Sequence, residues 1–294
     1  MDGLKETLLN LIKSAMNGFD STVSSAQDVL TGGLFDTNAV WSSVLALSNA
    51  LKPFCYVVIG ICLLIEIAQV AAKVDIIKWE HGLKLCVKMV FAKLCIDIAP
   101  TFLRACYNQA SLWISSAMSV GGYTNLGSLM TTEVETQISS ISGIWSVIGL
   151  LASCLLLSMA VKICGLLIQV IAFGRMFELY VLLAVSPLPC AFFPLGDGSG
   201  GGMSRITQKF FKNFIAVCLQ GVMIIISIRI FYMIVGTALT SLITSASGGS
   251  DPTTVVTDLC YVMLLAGIVL VMAVAKCGSW AKSIMAVSYT HLRA

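Results

Sequence analysis

Apolar residues run almost without a break from Gly143 to Leu195, where only Lys162, Arg175 and Glu178 are charged. About 20 apolar residues suffice to cross a bilayer as a helix, so this tract exceeds one span. Similar runs at Phe54–Ala72, Phe214 to about Leu239 and Val255–Ala275 predict three further spans. A more polar stretch from Leu83 to Met118, containing Asp97, Pro100 and Arg104, predicts another membrane helix. The pattern is that of an all-α, polytopic integral membrane protein. Ahead of the first span, Leu4, Leu8, Leu11, Ile12 and Ala15 share one face at helical spacing. They predict an amphipathic helix lying on a membrane, on a partner or on the protein's own outer face. Residues 20–38 read as a polar break around Thr31-Gly32-Gly33, followed by a short helix from Asn38 to about Leu51.

Prolines punctuate the pattern. Pro53 sits where the first span should begin, a position at which a missing amide hydrogen costs nothing. Pro100 should bend or break its helix, and Pro187 and Pro189 in Ser186-Pro187-Leu188-Pro189 should end theirs. The run from Gly196 to Ser204 predicts a flexible connection. It contains G-x-G-x-x-G, but no strand precedes it and no acid follows at the expected distance, so no nucleotide site is expected there.

Charge orients the spans. Lys73, Lys78, Lys84, Lys88 and Lys93 crowd one loop and its flank, and Arg205, Lys209 and Lys212 mark another edge, whereas residues 119–141 and 244–258 contain no Lys or Arg. Basic loops stay in the cytoplasm. The N-terminus is therefore expected outside and the C-terminus, anchored by Lys276, Trp280 and Lys282, inside. That requires five net crossings, although the tract 143–195 is long enough to supply two and make six hydrophobic helices. One long helix that crosses and continues past the inner face, with its Pro-containing end packed as a short helix, reconciles the two counts. The expected organisation is an external amphipathic helical region over 1–52 and a transmembrane domain over 53–287.

Composition agrees: 57% of residues are hydrophobic and 11% charged, against roughly 25% charged in a soluble domain, and the mean hydropathy is +0.93. The 11 cysteines are odd in number, form no CxxC pair and lie mostly within apolar tracts, where cysteine acts as a small hydrophobe. With only His81 and His291 besides, neither a metal site nor any cofactor is expected, and no cluster of nucleophiles, acids and bases suggests an enzyme.

Charges inside hydrocarbon are costly and mark structure or function. Arg175 and Glu178, three apart, can pair on one helix face. Glu66 shares a face with Gln69 and Lys73, either as an interfacial stripe or lining a pore; Lys93 and Asp97, four apart, can offset each other. Arg229 either snorkels to the outer interface or pairs with Glu178 or Glu66, and Lys162 completes the set. Ser142, Ser146, Gly149, Ser153 and Ala160 form a stripe of small residues, which lets helix backbones approach closely in lipid, within one chain or between copies.

The apolar tract carrying Arg175-Met-Phe-Glu178-Leu-Tyr and ending in Ser186-Pro187-Leu-Pro189, preceded by the lysine-rich segment VDIIKWEHGLKLCVKMVFAKL, resembles the polytopic TrbL family and its VirB relatives. These are channel subunits of type IV secretion and conjugation machines, and the resemblance covers roughly residues 40–285. It implies a non-enzymatic subunit that oligomerises in the cytoplasmic membrane and contributes to a path for DNA or protein, with transient contact to the moving DNA. It also implies that Arg175, Glu178, Pro187 and Pro189 are structural residues of that path, and that energy comes from a separate ATPase. Two alternatives remain: a small-solute transporter, which would typically show repeated halves, and a structural membrane protein of a mobile element. The last seven residues, SYTHLRA, resemble a translated sequencing adapter, so 288–294 is expected to be a non-native tail.

Overall fold

The computed structural model describes residues 2–31, 38–73, 79–120, 127, 138, 140, 141, 143–194, 205–246 and 251–287. Among them there is no strand. The helices are α1 (Asp2–Thr31), α2 (Asn38–Lys73), α3 (Trp79–Ser119), α4 (Ile144–Val185), α5 (Pro187–Ala191), α6 (Arg205–Ala246) and α7 (Pro252–Val287). Four segments are long and apolar enough to cross a membrane: Val40–Gln69, Ile144–Ala191, Arg205–Leu242 and Thr253–Met285. The expected fold class is the observed one. The glycine-rich connection, the acidic Glu133 and Glu135, Ser142 and the tail 288–294 lie outside the described residues.

Three boundaries differ from the expectation. Helix α1 continues through the polar residues 20–31 because its buried stripe continues: Leu8, Ile12, Met16, Phe19, Val23, Ala26 and Leu30 recur at helical spacing and are all buried. Helix α2 runs through Pro53 as one helix, and α3 runs through Pro100. Apolar surroundings tolerate such prolines, because every other backbone group keeps its internal partner and leaving the helix would strand several at once. The tract 143–195, by contrast, forms the long helix and the short proline-containing helix expected of it. Helix α4 has 42 residues, about 63 Å at 1.5 Å per residue, roughly twice the ~30 Å of a hydrocarbon core. It ends at Val185, and Pro187 opens the five-residue α5. Ser186, fully buried, donates its hydroxyl to the Leu183 carbonyl at 2.8 Å and closes the helix end that proline leaves open.

The chain divides into two compact units: unit 1 is Met1–Thr31, Trp113–Gly174 and Gly221–Trp280, and unit 2 is Gly32–Leu112, Arg175–Gln220 and Ala281–Ala294. In unit 1, α1 docks by Phe19, whose ring lies 5.6 Å from Phe231 and 6.5 Å from Tyr232 of α6. The backbone of α4 comes close to α1 at Gly165, where a Cβ would stand 3.1 Å from the Thr22 side chain. In unit 2, one core joins Cys55 and Ile59 of α2 with Ala92, Ile96 and Ala99 of α3 and with Cys190 and Ala191 of α5. A second joins Leu103 of α3, Leu179 and Leu183 of α4, and Phe214 and Val217 of α6. The buried cysteines fill these cores as small apolar groups; the Cys95 and Cys190 sulfurs meet at 3.1 Å.

Candidate functional site

Helix α3 poses the sharpest chemical problem, because Lys88, Lys93, Asp97 and Arg104 interrupt an otherwise apolar helix whose Val90, Phe91, Leu94, Ile98 and Phe102 are exposed. Helix α2, antiparallel to it within unit 2, supplies the answer at three levels. At one end the Arg104 guanidinium lies over the Trp41 ring, 4.3 Å from its centroid. In the middle Asp97 accepts a 2.8 Å hydrogen bond from the Tyr56 hydroxyl and stands 3.7 Å from the Lys52 ammonium. At the other end Lys88 donates to Glu66 in an ion pair. Between these levels the apolar core of Cys55, Ile59, Ala92, Ile96 and Ala99 fills the seam. The result is a ladder in which Lys88, Asp97 and Arg104 are each met by a group from the facing helix.

The Glu66 side chain is only 14% exposed. One of its oxygens holds Lys88, while Oε2 is buried and has no hydrogen-bond partner among the described residues. A buried carboxylate oxygen ordinarily has a partner. Glu66, read as part of an interfacial stripe or as lining a pore, faces α3 and is tied to Lys88. Asp97 takes its partners from α2 rather than from Lys93, which is exposed.

Arg175 and Glu178 do pair on α4, at 2.6 Å and each about one-third exposed. Met176, between them in sequence, is buried and accepts a weak bond from the Tyr107 hydroxyl of α3 at 3.8 Å. Leu179 lies in the α3/α4/α6 core. The charged pair thus sits at the edge of a packed seam. Pro187 is buried, and the Pro189 carbonyl accepts a 2.7 Å bond from the fully buried Thr207 hydroxyl of α6, tying α5 to the start of that helix. Lys162 is exposed. In the small-residue stripe Ser146, Gly149 and Ser153 are exposed and Ala160 is half-buried, while α4 packs in its own chain through the adjoining face, Val147, Leu150, Cys154, Val161 and Ile168.

One cluster escaped the reading of the sequence. In unit 1 Asp20 is 8% exposed. Its carboxylate accepts the Tyr232 hydroxyl at 2.9 Å and the Gly127 amide at 3.0 Å. Half-buried Arg229, one turn from Tyr232, interacts electrostatically with it. Glu178 and Glu66, the two partners considered for Arg229, are held by Arg175 and Lys88. The signal was an acid on an apolar stripe: Asp20 follows Met16 by four and Ile12 by eight. Reading residues 20–38 as a polar break hid it.

Among the described residues no group of three or more His, Cys, Asp or Glu side chains is placed to hold a metal ion. The chemistry on offer is therefore that of paired charges, buried hydroxyls and apolar packing between long helices. Residues 21–187 match the profile of the family described as TrbL/VirB6 plasmid conjugal transfer like protein. No curated protein and no solved structure matches the chain. The matched segment runs from the second half of α1 to the proline that opens α5, and so takes in the α2–α3 ladder, the Arg175–Glu178 pair and the whole of α4. It covers more than half of the chain: the protein belongs to the TrbL/VirB6-like family of plasmid conjugal transfer proteins, as a membrane component of a multi-subunit conjugation system.

Proposed function

We propose that this protein is a channel or scaffold subunit of a type IV secretion machine, contributing part of the path that DNA or protein takes across the cytoplasmic membrane. The observation that carries the reading is the α2–α3 ladder. Helix α3 is too charged to be recognised as a span by hydropathy, yet Lys88, Asp97 and Arg104 are each met by α2. Charges sheltered in this way are what a fifth crossing needs. A membrane protein serving only as an anchor has no use for such a helix; a subunit that must present polar groups at membrane depth does.

The orientation is read from charge. Unit 2 carries thirteen basic residues against seven acids, and unit 1 five against eight. The basic segments around Lys78–Lys93 and Arg205–Lys212 therefore face the cytoplasm, the N-terminus lies outside and the C-terminus inside. The exposed face Ser146, Gly149 and Ser153 is the surface for a second copy, making the subunit a homo-oligomer. Movement of cargo draws on a separate ATPase, and the subunit itself performs no catalysis.

A donor strain carrying the conjugative element with this gene deleted is expected to lose transfer to recipients while its growth on varied solutes is unchanged. Expression of the wild-type chain from a second locus should restore transfer. Normal transfer accompanied by a solute-uptake defect would instead identify a transporter.

A further inference from the structure

Helices α6 and α7 of unit 1 do not close on each other along their whole length. Between them runs a trough of about 490 Å3, within the ~300–1,000 Å3 of ordinary small-ligand sites. Its origin is in the sequence of α7, where the trough-facing positions 262, 266, 269 and 273 are Val, Ala, Val and Ala, too short to reach α6. Phe231, Val235 and Leu270 form a buried floor, while Ile234, Tyr261 and Leu265 form an exposed rim.

We infer that this trough is a binding site for an anionic phospholipid, one acyl chain lying between α6 and α7 and the headgroup held at Lys276. Two observations commit the site to that occupant. The first is length. On α7 the lining runs from Tyr261 to Trp280, but on α6 only from Ser227 to Val235, about 12 Å of helix rise, so both walls are present over less than half of the ~30 Å hydrocarbon core. A crossing helix from a second copy would need a trough running the depth of the membrane. The second is the chemistry of its end. Trp280 closes the trough, and Lys276, exposed, lies on the same face of α7, three residues after Ala273 and four before Trp280. Tryptophan and lysine at the end of a span are interfacial anchors, and an ammonium just beyond an apolar trough is complementary to a phosphate. The Ser227 hydroxyl, which lines the trough, is taken up by the Met223 carbonyl at 2.9 Å and lies against the Cys277 sulfur. It does not compete for the headgroup.

The test uses the full chain reconstituted into vesicles. Phosphatidylglycerol brominated along its acyl chains should quench Trp280 fluorescence more than brominated phosphatidylcholine, with an apparent preference of about fivefold, the scale of one basic residue near an anionic surface. The Trp280 signal is isolated by subtracting Trp280→Phe. Lys276→Gln should abolish the preference while quenching by both lipids persists. Ala266→Trp, which fills the trough, should lower phosphatidylglycerol recovered with the protein after detergent purification, and Val269→Phe should do the same if the first variant does not fold. Equal quenching by the two lipids in the wild-type protein would overturn the proposal. So would an Ala266→Trp protein that keeps its lipid but loses self-association, since the trough would then be a contact between copies.

Discussion

At the scale of single residues, the molecule shows how charge is admitted among apolar helices: each buried ionised group is matched by a partner from another element. Asp20 is the clearest case, held by the Tyr232 hydroxyl and the Gly127 backbone amide. Tyr232→Phe removes the better-aligned donor and leaves the carboxylate under-satisfied. The expected cost is about 1–3 kcal/mol, measured as a lowered thermal transition in detergent. Adding Asp20→Ala to Tyr232→Phe should cost less than the two single changes together, because the groups form one network. The Glu66–Lys88 pair lends itself to exchange. Glu66→Lys or Lys88→Glu alone sets like charges against each other and should abolish stable accumulation in the membrane. The double exchange should restore it to within roughly 1–2 kcal/mol of wild type, the upper range of polar ties measured between membrane helices. Neither pair was visible in the sequence: Glu66 and Lys88 are 22 residues apart and Asp20 and Tyr232 are 212 apart, and spacing rules reach only the next turn of one helix. Arg175 and Glu178 were legible for the converse reason.

At the scale of elements, periodicity and sterics divide the work on α4. The face Val147, Leu150, Cys154, Val161 and Ile168 packs within the chain, whereas Ser146, Gly149 and Ser153 are exposed. The small-residue stripe read from the sequence is therefore not the seam this chain uses for itself; the close approach occurs at Gly165, against Thr22. The two positions should behave oppositely. Gly165→Val places methyl groups where the Thr22 side chain already stands, and should destabilise the fold by about 1–3 kcal/mol, seen as protease sensitivity of α1. Gly149→Leu should leave folding intact and weaken self-association, read by cross-linking in membranes. The three prolines teach the same distinction. Pro187 ends a helix because Ser186 satisfies the carbonyl behind it, while Pro53 and Pro100 lie inside continuous helices.

At the scale of the whole molecule, the reading makes a claim about crossings. Reporter fusions after Lys93, Arg205 and Lys282 should report a cytoplasmic location, and fusions at residues 125 and 248 an external one. An external report after Arg205 would show that the tract 143–195 is crossed twice. The sequence by itself determined the helical membrane class, the long apolar tract and its proline end, and the family resemblance, because these depend on composition and on patterns within a few turns, which any bilayer enforces through backbone hydrogen bonding and burial. Only the tertiary structure decided which charges shelter one another, which face of α4 is committed to its own chain, and that α1 runs on through the polar residues 20–31. Those outcomes depend on which distant helices become neighbours, and a charge in a low-dielectric medium is stabilised by the group within bonding distance, wherever in the chain that group is encoded.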